Sequence, residues 1–321
     1  MIDGILKFLY GELAMIKTFP GGVYPTMLTP FTEENNVDYN SLAKLIDWYL
    51  EQGCDGLFAV CQSSEMFYLS LEERIKIAKF VKEHAGKGCP VVCSGHISYS
   101  LDDQAKEIEK IAETGVDAVI LVTNRLAATG ESEDIWIRNL SKLLDKIPKE
   151  VPLGFYECPY PYKRVMTEKA IQFCADTERF YFLKDTCCDA ERIKKRLFVV
   201  AGSNMKIFNA NTATLLQTLQ YGAAGYSGVM ANFQAREYKW LCKYFKEKPH
   251  AAQEVSSFLT LSSFIETHLY PAIAKHRLLE KGIFATDRCR ACDAALLTPT
   301  NISEYQQMMF LTEKIDQKFE I

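Results

Sequence analysis

The 321-residue chain predicts an α/β protein: a (β/α)8 barrel followed by a C-terminal helical extension. Three observations carry the prediction. From Pro20 onward one pattern recurs, an amphipathic helix, a glycine-containing turn and a short apolar strand. Three helix-to-strand joins are near copies: Glu51-Gln-Gly-Cys-Asp-Gly, Glu113-Thr-Gly-Val-Asp-Ala and Gln220-Tyr-Gly-Ala-Ala-Gly. After Lys248-Pro249 the pattern becomes purely helical. Strict alternation implies a parallel sheet, and eight such units favour closure into a barrel. A doubly wound open sheet is the alternative, but no Gly-x-Gly-x-x-Gly follows the first strand.

The elements follow in order. Val23–Leu28 reads as the first strand. Asp38–Glu51 places Tyr39, Leu42, Leu45, Ile46, Tyr49 and Leu50 on one helical face and ends at Gly53, before the strand Gly56–Val60. Ser70-Leu-Glu-Glu73 is a capping box opening a helix to about His84, followed by the strand Pro90–Ser94. Leu101, Ala105, Ile108 and Ile111 stripe the next helix, which stops at Gly115 before the strand Ala118–Val122. A helix over Glu133–Lys146 precedes Leu153–Tyr156, and a helix from Thr167 precedes Phe180–Thr186. A short charged helix near Glu191–Arg196 leads into Phe198–Ala201, read as strand seven. A helix over Ala210–Tyr221 leads into Gly225–Met230, and the eighth helix covers Arg236–Glu247. Ala251–Lys281 and Ser303–Phe319 are helical, with Gly282 and Pro299 as punctuation. The divisions are therefore an N-terminal extension (1–19), the barrel (20–248) and the helical region (249–321).

Composition narrows the function classes. An apolar fraction of 48% and a charged fraction of 24% are ordinary for a globular protein. A net charge of −4 supplies no basic patch, which argues against nucleic acid as a partner. Eleven cysteines, an odd count scattered through apolar segments, fit buried thiols in a cytoplasmic protein better than a disulfide framework. No run reaches the ~18 apolar residues of a membrane span. The first segment carries Asp3 and Glu12, lacks a basic start, and does not read as a signal peptide. Cys289-Arg-Ala-Cys292 has the spacing of half a zinc or redox site, but no second pair follows it and no metal site is expected.

In this fold reactive groups gather at the C-terminal ends of the strands. Strand two ends in Cys61-Gln62-Ser63-Ser64-Glu65, strand three precedes Gly95-His96, and strand four precedes Thr123-Asn124-Arg125. Strand five ends in Tyr156-Glu157-Cys158-Pro159, strand six at Lys184, strand seven before Gly202-Ser203-Asn204, and strand eight near Ser227-Gly228. Phe180-Tyr-Phe-Leu-Lys184 is a continuous apolar run closed by a lysine, and lysine is rarely buried without a reason. Tyr156 and Lys184 close consecutive strands, ~4.8 Å apart when paired. Two readings stand at this point. Lys184 pairs with Asp185 at the rim, or it is a desolvated amine that attacks a ketone while the Tyr156 phenol shuttles protons.

From Gly21 to about Leu297 the chain resembles the dihydrodipicolinate synthase/N-acetylneuraminate lyase family of class I aldolases. The likeness is carried by Thr29-Pro30-Phe31, Gly53-Cys-Asp-Gly56, Ser63-Ser64-Glu65 with Leu69-Ser-Leu-Glu-Glu-Arg74, Tyr156-x-x-Pro159, Phe182-Leu-Lys184, Gly202-Ser203 and Gly222-Ala-Ala-Gly225. The resemblance implies a barrel with a C-terminal helical domain, usually tetrameric, acting on pyruvate or a 2-oxo acid. It implies no metal and no cofactor beyond a covalent lysine imine. Lys184 then matches the Schiff-base lysine and Tyr156 the acid/base tyrosine. Ser63 falls where a threonine binds the pyruvate carboxylate, and its hydroxyl with the Ser63 and Ser64 N–H groups suits that anion. The substrate-binding set is Ser63, Ser64, Gln62, Ser227, Asn124, Arg125, Glu157 and Gly202.

Departures from the family pattern are informative. Gln62 replaces a relay threonine and cannot pass a proton as a hydroxyl does. Asn124-Arg125 stands where the synthase has a tyrosine, and Glu157 replaces an asparagine. Pro161 occupies the synthase's arginine position, with Lys163 and Arg164 nearby. The lyase's acidic pair after strand seven maps to Asn204-Met205. These changes argue against both name-giving activities and leave the lysine chemistry standing. Arg125 could hold a distal anionic group, and His96 could touch substrate or be structural. The expectation is a Schiff-base lyase that cleaves or forms a C3–C4 bond of a 2-oxo acid with an aldehyde as second substrate, in a homo-oligomer (dimer or tetramer). A dehydratase of 2-oxo-3-deoxy sugar acids, or a non-catalytic 2-oxo acid-binding barrel, are the alternatives.

Overall fold

A computed structural model describes residues 19–321, so the reading of the N-terminal extension lies outside the described residues but for Phe19. Eight parallel strands curl into one sheet in the order β1-β8-β7-β6-β5-β4-β3-β2. They are β1 (Gly22–Val23), β2 (Leu57–Ala59), β3 (Val91–Cys93), β4 (Ala118–Val122), β5 (Leu153–Tyr156), β6 (Phe180–Asp185), β7 (Lys206–Asn209) and β8 (Gly225–Tyr226). The chain beyond β1 bridges Thr26 to Phe58 in parallel register, which brings the two ends of the sheet together. The closed barrel of the sequence reading is therefore present, and the open sheet is not.

Eight helices cover the outside: α1 (Tyr39–Glu51), α2 (Leu71–Ala85), α3 (Leu101–Ala112), α4 (Glu133–Leu144), α5 (Glu168–Asp176), α6 (Ala190–Val199), α7 (Leu215–Tyr221) and α8 (Ala231–Tyr244). Their starts are written locally. Asp38, Ser70, Ser100, Ser132, Thr167 and Asp189 each accept a first-turn N–H with the side chain, and Ser70 with Glu73 forms the expected capping box. Gly53, Gly115 and Gly222 adopt positive φ just beyond α1, α3 and α7, as the repeated joins predict. Gly56 serves packing instead: a Cβ there would lie 2.1 Å from the Tyr24 ring. That ring belongs to an aromatic fill of the barrel, with Tyr24, Phe182 and Phe208 in mutual contact and Phe58 against Phe182.

Strand seven is a correction. The run Phe198–Ala201 is not a strand, because Asp189 caps a helix that continues to Val199 with Ile193 and Arg196 on its buried face. Phe198, 85% exposed, sits on the outer face. The strand is Lys206–Asn209, so the rim residues there are Asn209-Ala210-Asn211 and not Gly202-Ser203-Asn204. Beyond the barrel come α9 (Pro249–Ser262), a 3-10 turn (Ser263–Thr267), α10 (Ala272–Glu280) and α11 (Pro299–Phe319), so the helical reading of Ala251–Lys281 resolves into two helices joined by that turn. Lys275 of α10 and Glu65 of the loop after β2 form a fully buried ion pair at 2.5 Å. The Glu65 carboxylate also accepts the Arg290 and Ala291 N–H groups. This anchors the helical region to the loops at the C-terminal rim of the barrel.

Candidate active site

Tyr156 and Lys184 are register partners across β5 and β6. Because strand side chains alternate, both point into the barrel while their neighbours Glu157 and Asp185 point out beneath the helices. Lys184 is 3% exposed, and its Nζ lies 4.3 Å from the centroid of the Tyr156 ring. Burial lowers its pKa, and no hydrogen-bonding partner is among the groups that influence it; Cys61, Cys158 and Glu266 act on it only at a distance. An amine so placed spends more of its time neutral and nucleophilic than a surface lysine. Burial also pushes the Tyr156 phenol well above its ordinary value, so it rests protonated and serves first as a proton donor.

The Asp185 pairing considered from sequence does not occur. Asp185 and Glu157 both bind Arg196 of α6, all three fully buried, with Arg196 Nη2 to Glu157 Oε1 at 2.8 Å. The Met166 and Thr186 N–H groups donate to the remaining Glu157 positions at 2.8 and 2.9 Å. Glu157 is thus a lock between the loops after β5 and β6 and faces away from the cavity, a correction to its substrate-binding reading. Asn124 is corrected likewise: its two Nδ2 hydrogens are shared among the carbonyls of Cys158, Tyr160 and Tyr162, pinning the loop after β5. Gly202 is exposed between α6 and β7, at the entry to the strand and on the rim opposite Lys184. His96 is held between Gln104 and the Val122 N–H, at 2.8 and 2.9 Å, and burial lowers its pKa to about 4; it is a neutral structural group.

The loop after β2 is held in an unusual conformation. Val60 and Glu65 bracket it at φ +50° and +60°, and a β-branched residue rarely adopts the left-handed region. Within it, Gln62 Oε1 lies 3.5 Å from the Tyr156 hydroxyl and 3.1 Å from Cys158 Sγ. Ser63 Oγ donates to Thr26 Oγ1 at 3.1 Å. Ser64 Oγ donates to the Met27 carbonyl and accepts the Cys61 N–H, so it shapes the loop. Ser227 is buried at the end of β8, and its Oγ has no partner among the described residues. Arg125 stacks between Phe67 and Tyr99, at 5.2 and 4.6 Å to the ring centroids, with buried Nε and Nη1 unpartnered among the described residues. No group of three or more His, Cys, Asp or Glu suited to a metal ion occurs among the described residues.

The model of the dihydrodipicolinate synthetase family matches residues 19–309. The chain belongs to that family. Membership makes it a lyase of the class I aldolase type. It is 26% identical over 250 residues to the 4-hydroxy-tetrahydrodipicolinate synthase of Clostridium perfringens strain 13, covering 76% of this chain and 83% of that one. The Bacillus subtilis 168 synthase is 26% identical over 226 residues, 70% and 76% of the two chains. Among solved structures, the synthase of Methylacidiphilum fumariolicum SolV superposes with a TM-score of 0.82 at 20% identity, over 94% and 98% of the chains. A family member encoded by a prophage of E. coli K12, determined in complex with pyruvate, gives 0.81 at 20% identity over 91% and 98%. These structural likenesses carry the fold.

Three residues near the site were not singled out from the sequence: Thr26, which accepts from Ser63, Tyr270, which accepts from Asn232, and Glu266, which acts on Lys184 at a distance. Thr26 stands three residues before Thr29-Pro30-Phe31, a signal that could have placed it at the first strand's rim. Tyr270 and Glu266 come from the connection between α9 and α10, which carries no strand-end signal. No described helix is long and apolar enough to cross a membrane.

Proposed function

We propose that the chain is a Schiff-base lyase that cleaves or forms the C3–C4 bond of a 2-oxo acid, with pyruvate as the simplest such acid. One observation carries the reading: a buried lysine, without a hydrogen-bonded counterion among the described residues, lies over the ring of a buried tyrosine on the adjacent strand. Lys184 Nζ adds to the C2 carbonyl, and Tyr156 gives its proton to the departing C2 hydroxyl, releasing water and leaving an iminium. The Tyr156 phenolate then takes the proton of the C4 hydroxyl. The C3–C4 electron pair moves onto the iminium, and an aldehyde departs from the enamine. Protonation at C3 and hydrolysis return the 2-oxo acid and the free amine, with no cofactor taking part. Ser63, through its hydroxyl and its own N–H, receives the carboxylate, whereas the Ser64 N–H expected to join it donates to the Cys61 carbonyl. Arg125, on the same rim, is assigned to an anionic end of the second substrate, a reading its unpartnered donors support.

A 2-oxo acid-binding barrel without turnover is the competing reading, and Gln62 favours it. An amide beside the Tyr156 hydroxyl can hold the phenol but cannot relay its proton. Borohydride reduction with pyruvate, read by peptide mass, tests the main proposal. A stable adduct at Lys184, absent from Lys184→Ala, is expected; equal inertness of the two proteins refutes the imine. An adduct without C–C cleavage or dehydration across a panel of aldehydes and sugar acids would favour the binding reading.

A further inference from the structure

A chain of oriented donors ends at the loop that receives the carboxylate. The Tyr49 hydroxyl donates to Asn232 Oδ1, which turns the amide nitrogen the other way. The two Asn232 Nδ2 hydrogens are shared among the Thr26 and Val229 carbonyls, both at 3.0 Å, and the Tyr270 hydroxyl oxygen at 3.1 Å. An oxygen that accepts from an amide must send its own proton elsewhere. The hydroxyls of Ser63 and Thr26 stand close enough to the Tyr270 phenol to act on it. Ser63 already donates to Thr26 at 3.1 Å, so its lone pairs are free to accept. Asn232, Tyr270, Ser63 and Thr26 therefore form one polar cluster beside the loop after β2.

The backbone supports the same aim. Leu269, immediately before Tyr270, adopts φ +49°, a conformation uncommon for a bulky residue and maintained only where surrounding contacts impose it. Tyr270 as a whole is only partly buried. Burial holds the phenol protonated, and nearby Cys61 and Glu266 act in the same direction.

We infer that Tyr270 is a further substrate-binding residue, whose phenol donates a hydrogen bond to the carboxylate of the 2-oxo acid beside Ser63. This rests on the Schiff-base reading of Lys184. An arriving carboxylate is a strong acceptor for the Tyr270 proton. The connection between α9 and α10 is thereby part of the active site, and it selects an acid over a neutral ketone.

The half-saturation of borohydride trapping, measured with pyruvate and with pyruvamide, tests this. For Tyr270→Phe the half-saturating pyruvate concentration should rise about tenfold or more, the loss of one hydrogen bond to a charged group. The limiting trapping rate should stay within about twofold, because the amine is untouched. The preference for pyruvate over pyruvamide should fall by a similar factor, which a purely structural loss would not produce. Unchanged half-saturation and unchanged preference overturn the inference while leaving the imine intact. A wild-type protein that traps no 2-oxo acid overturns the Schiff-base reading instead. Should Tyr270→Phe fail to fold, 3-fluorotyrosine placed at position 270 preserves the phenol. Its fluorine resonance should move on addition of pyruvate and not of pyruvamide, and a resonance indifferent to both overturns the inference.

Discussion

Lys184 and Asp185 are neighbours in sequence and look in opposite directions. The Lys184 amine lies over the Tyr156 ring inside the barrel, whereas the Asp185 carboxylate is bound to Arg196 beneath the helices. Strand alternation separates them, so the carboxylate that could have neutralised the amine is committed elsewhere. The amine keeps its desolvation unrelieved, and the chemistry follows from that.

Replacing Lys184 should therefore stabilise the fold. Its pKa in the folded protein is lowered from 10.5 by burial. Between the folded value and 10.5 the unfolded chain binds more protons, so wild-type stability rises with pH across that window. Below the folded value the penalty is fully present. Lys184→Met should gain stability over the wild type at neutral pH, and the gain should shrink as pH approaches 10.5. Urea unfolding at several pH values measures it; a constant or growing gain contradicts the burial argument.

Removing the Tyr156 hydroxyl should separate imine formation from bond cleavage. In Tyr156→Phe we expect the pyruvate adduct still to accumulate under borohydride, more slowly. Turnover of whichever aldol substrate the panel identifies should fall about 10²–10⁴-fold, the range for a lost general acid–base. Equal, small effects on both steps would move the proton chemistry to another group.

The Arg196 triad predicts a large stability loss. Arg196→Met leaves Glu157 and Asp185 buried without their cation, which costs about 3–5 kcal/mol. Chemical denaturation should show it, and a change within about 0.5 kcal/mol, usual for a surface substitution, would contradict the assignment.

Acid should act through His96. Its folded pKa of about 4 lies below its ordinary value of 6.5, so protonation favours the unfolded chain. Stability is unaffected above 6.5 and is lost as pH falls toward 4, by about 3 kcal/mol in total. His96→Gln, uncharged throughout, should show a shallower decline between those limits. Parallel declines in the two proteins would assign the loss to carboxylates alone.

Much of the site was legible because its signals are local. A run of apolar residues closed by Lys184 is visible in a single stretch, and counting strands places Tyr156 beside it. Ser63 followed from the loop that carries it. Glu157 and Asn124 were misassigned because position at a strand end does not say which way a side chain turns. Glu157 is one residue beyond the inward-facing Tyr156 and falls on the other face. Strand seven was misplaced because Phe198-Val199-Val200-Ala201 has the composition of a buried strand. A helix begun by Asp189 carried it outward instead.

The sequence by itself determined the alternation of helices and strands, the helix caps, the glycine joins and the lysine-tyrosine pair. Each depends on residues near one another in the chain or on a repeat that can be counted. Tertiary structure alone decided that Asp185 and Glu157 belong to Arg196, that Lys184 has no hydrogen-bonded counterion among the described residues, and that Tyr270 comes near Ser63 from more than two hundred residues away. Those pairings depend on which face each strand buries and where the C-terminal helices pack. Closing the barrel sets both, and no local pattern records them.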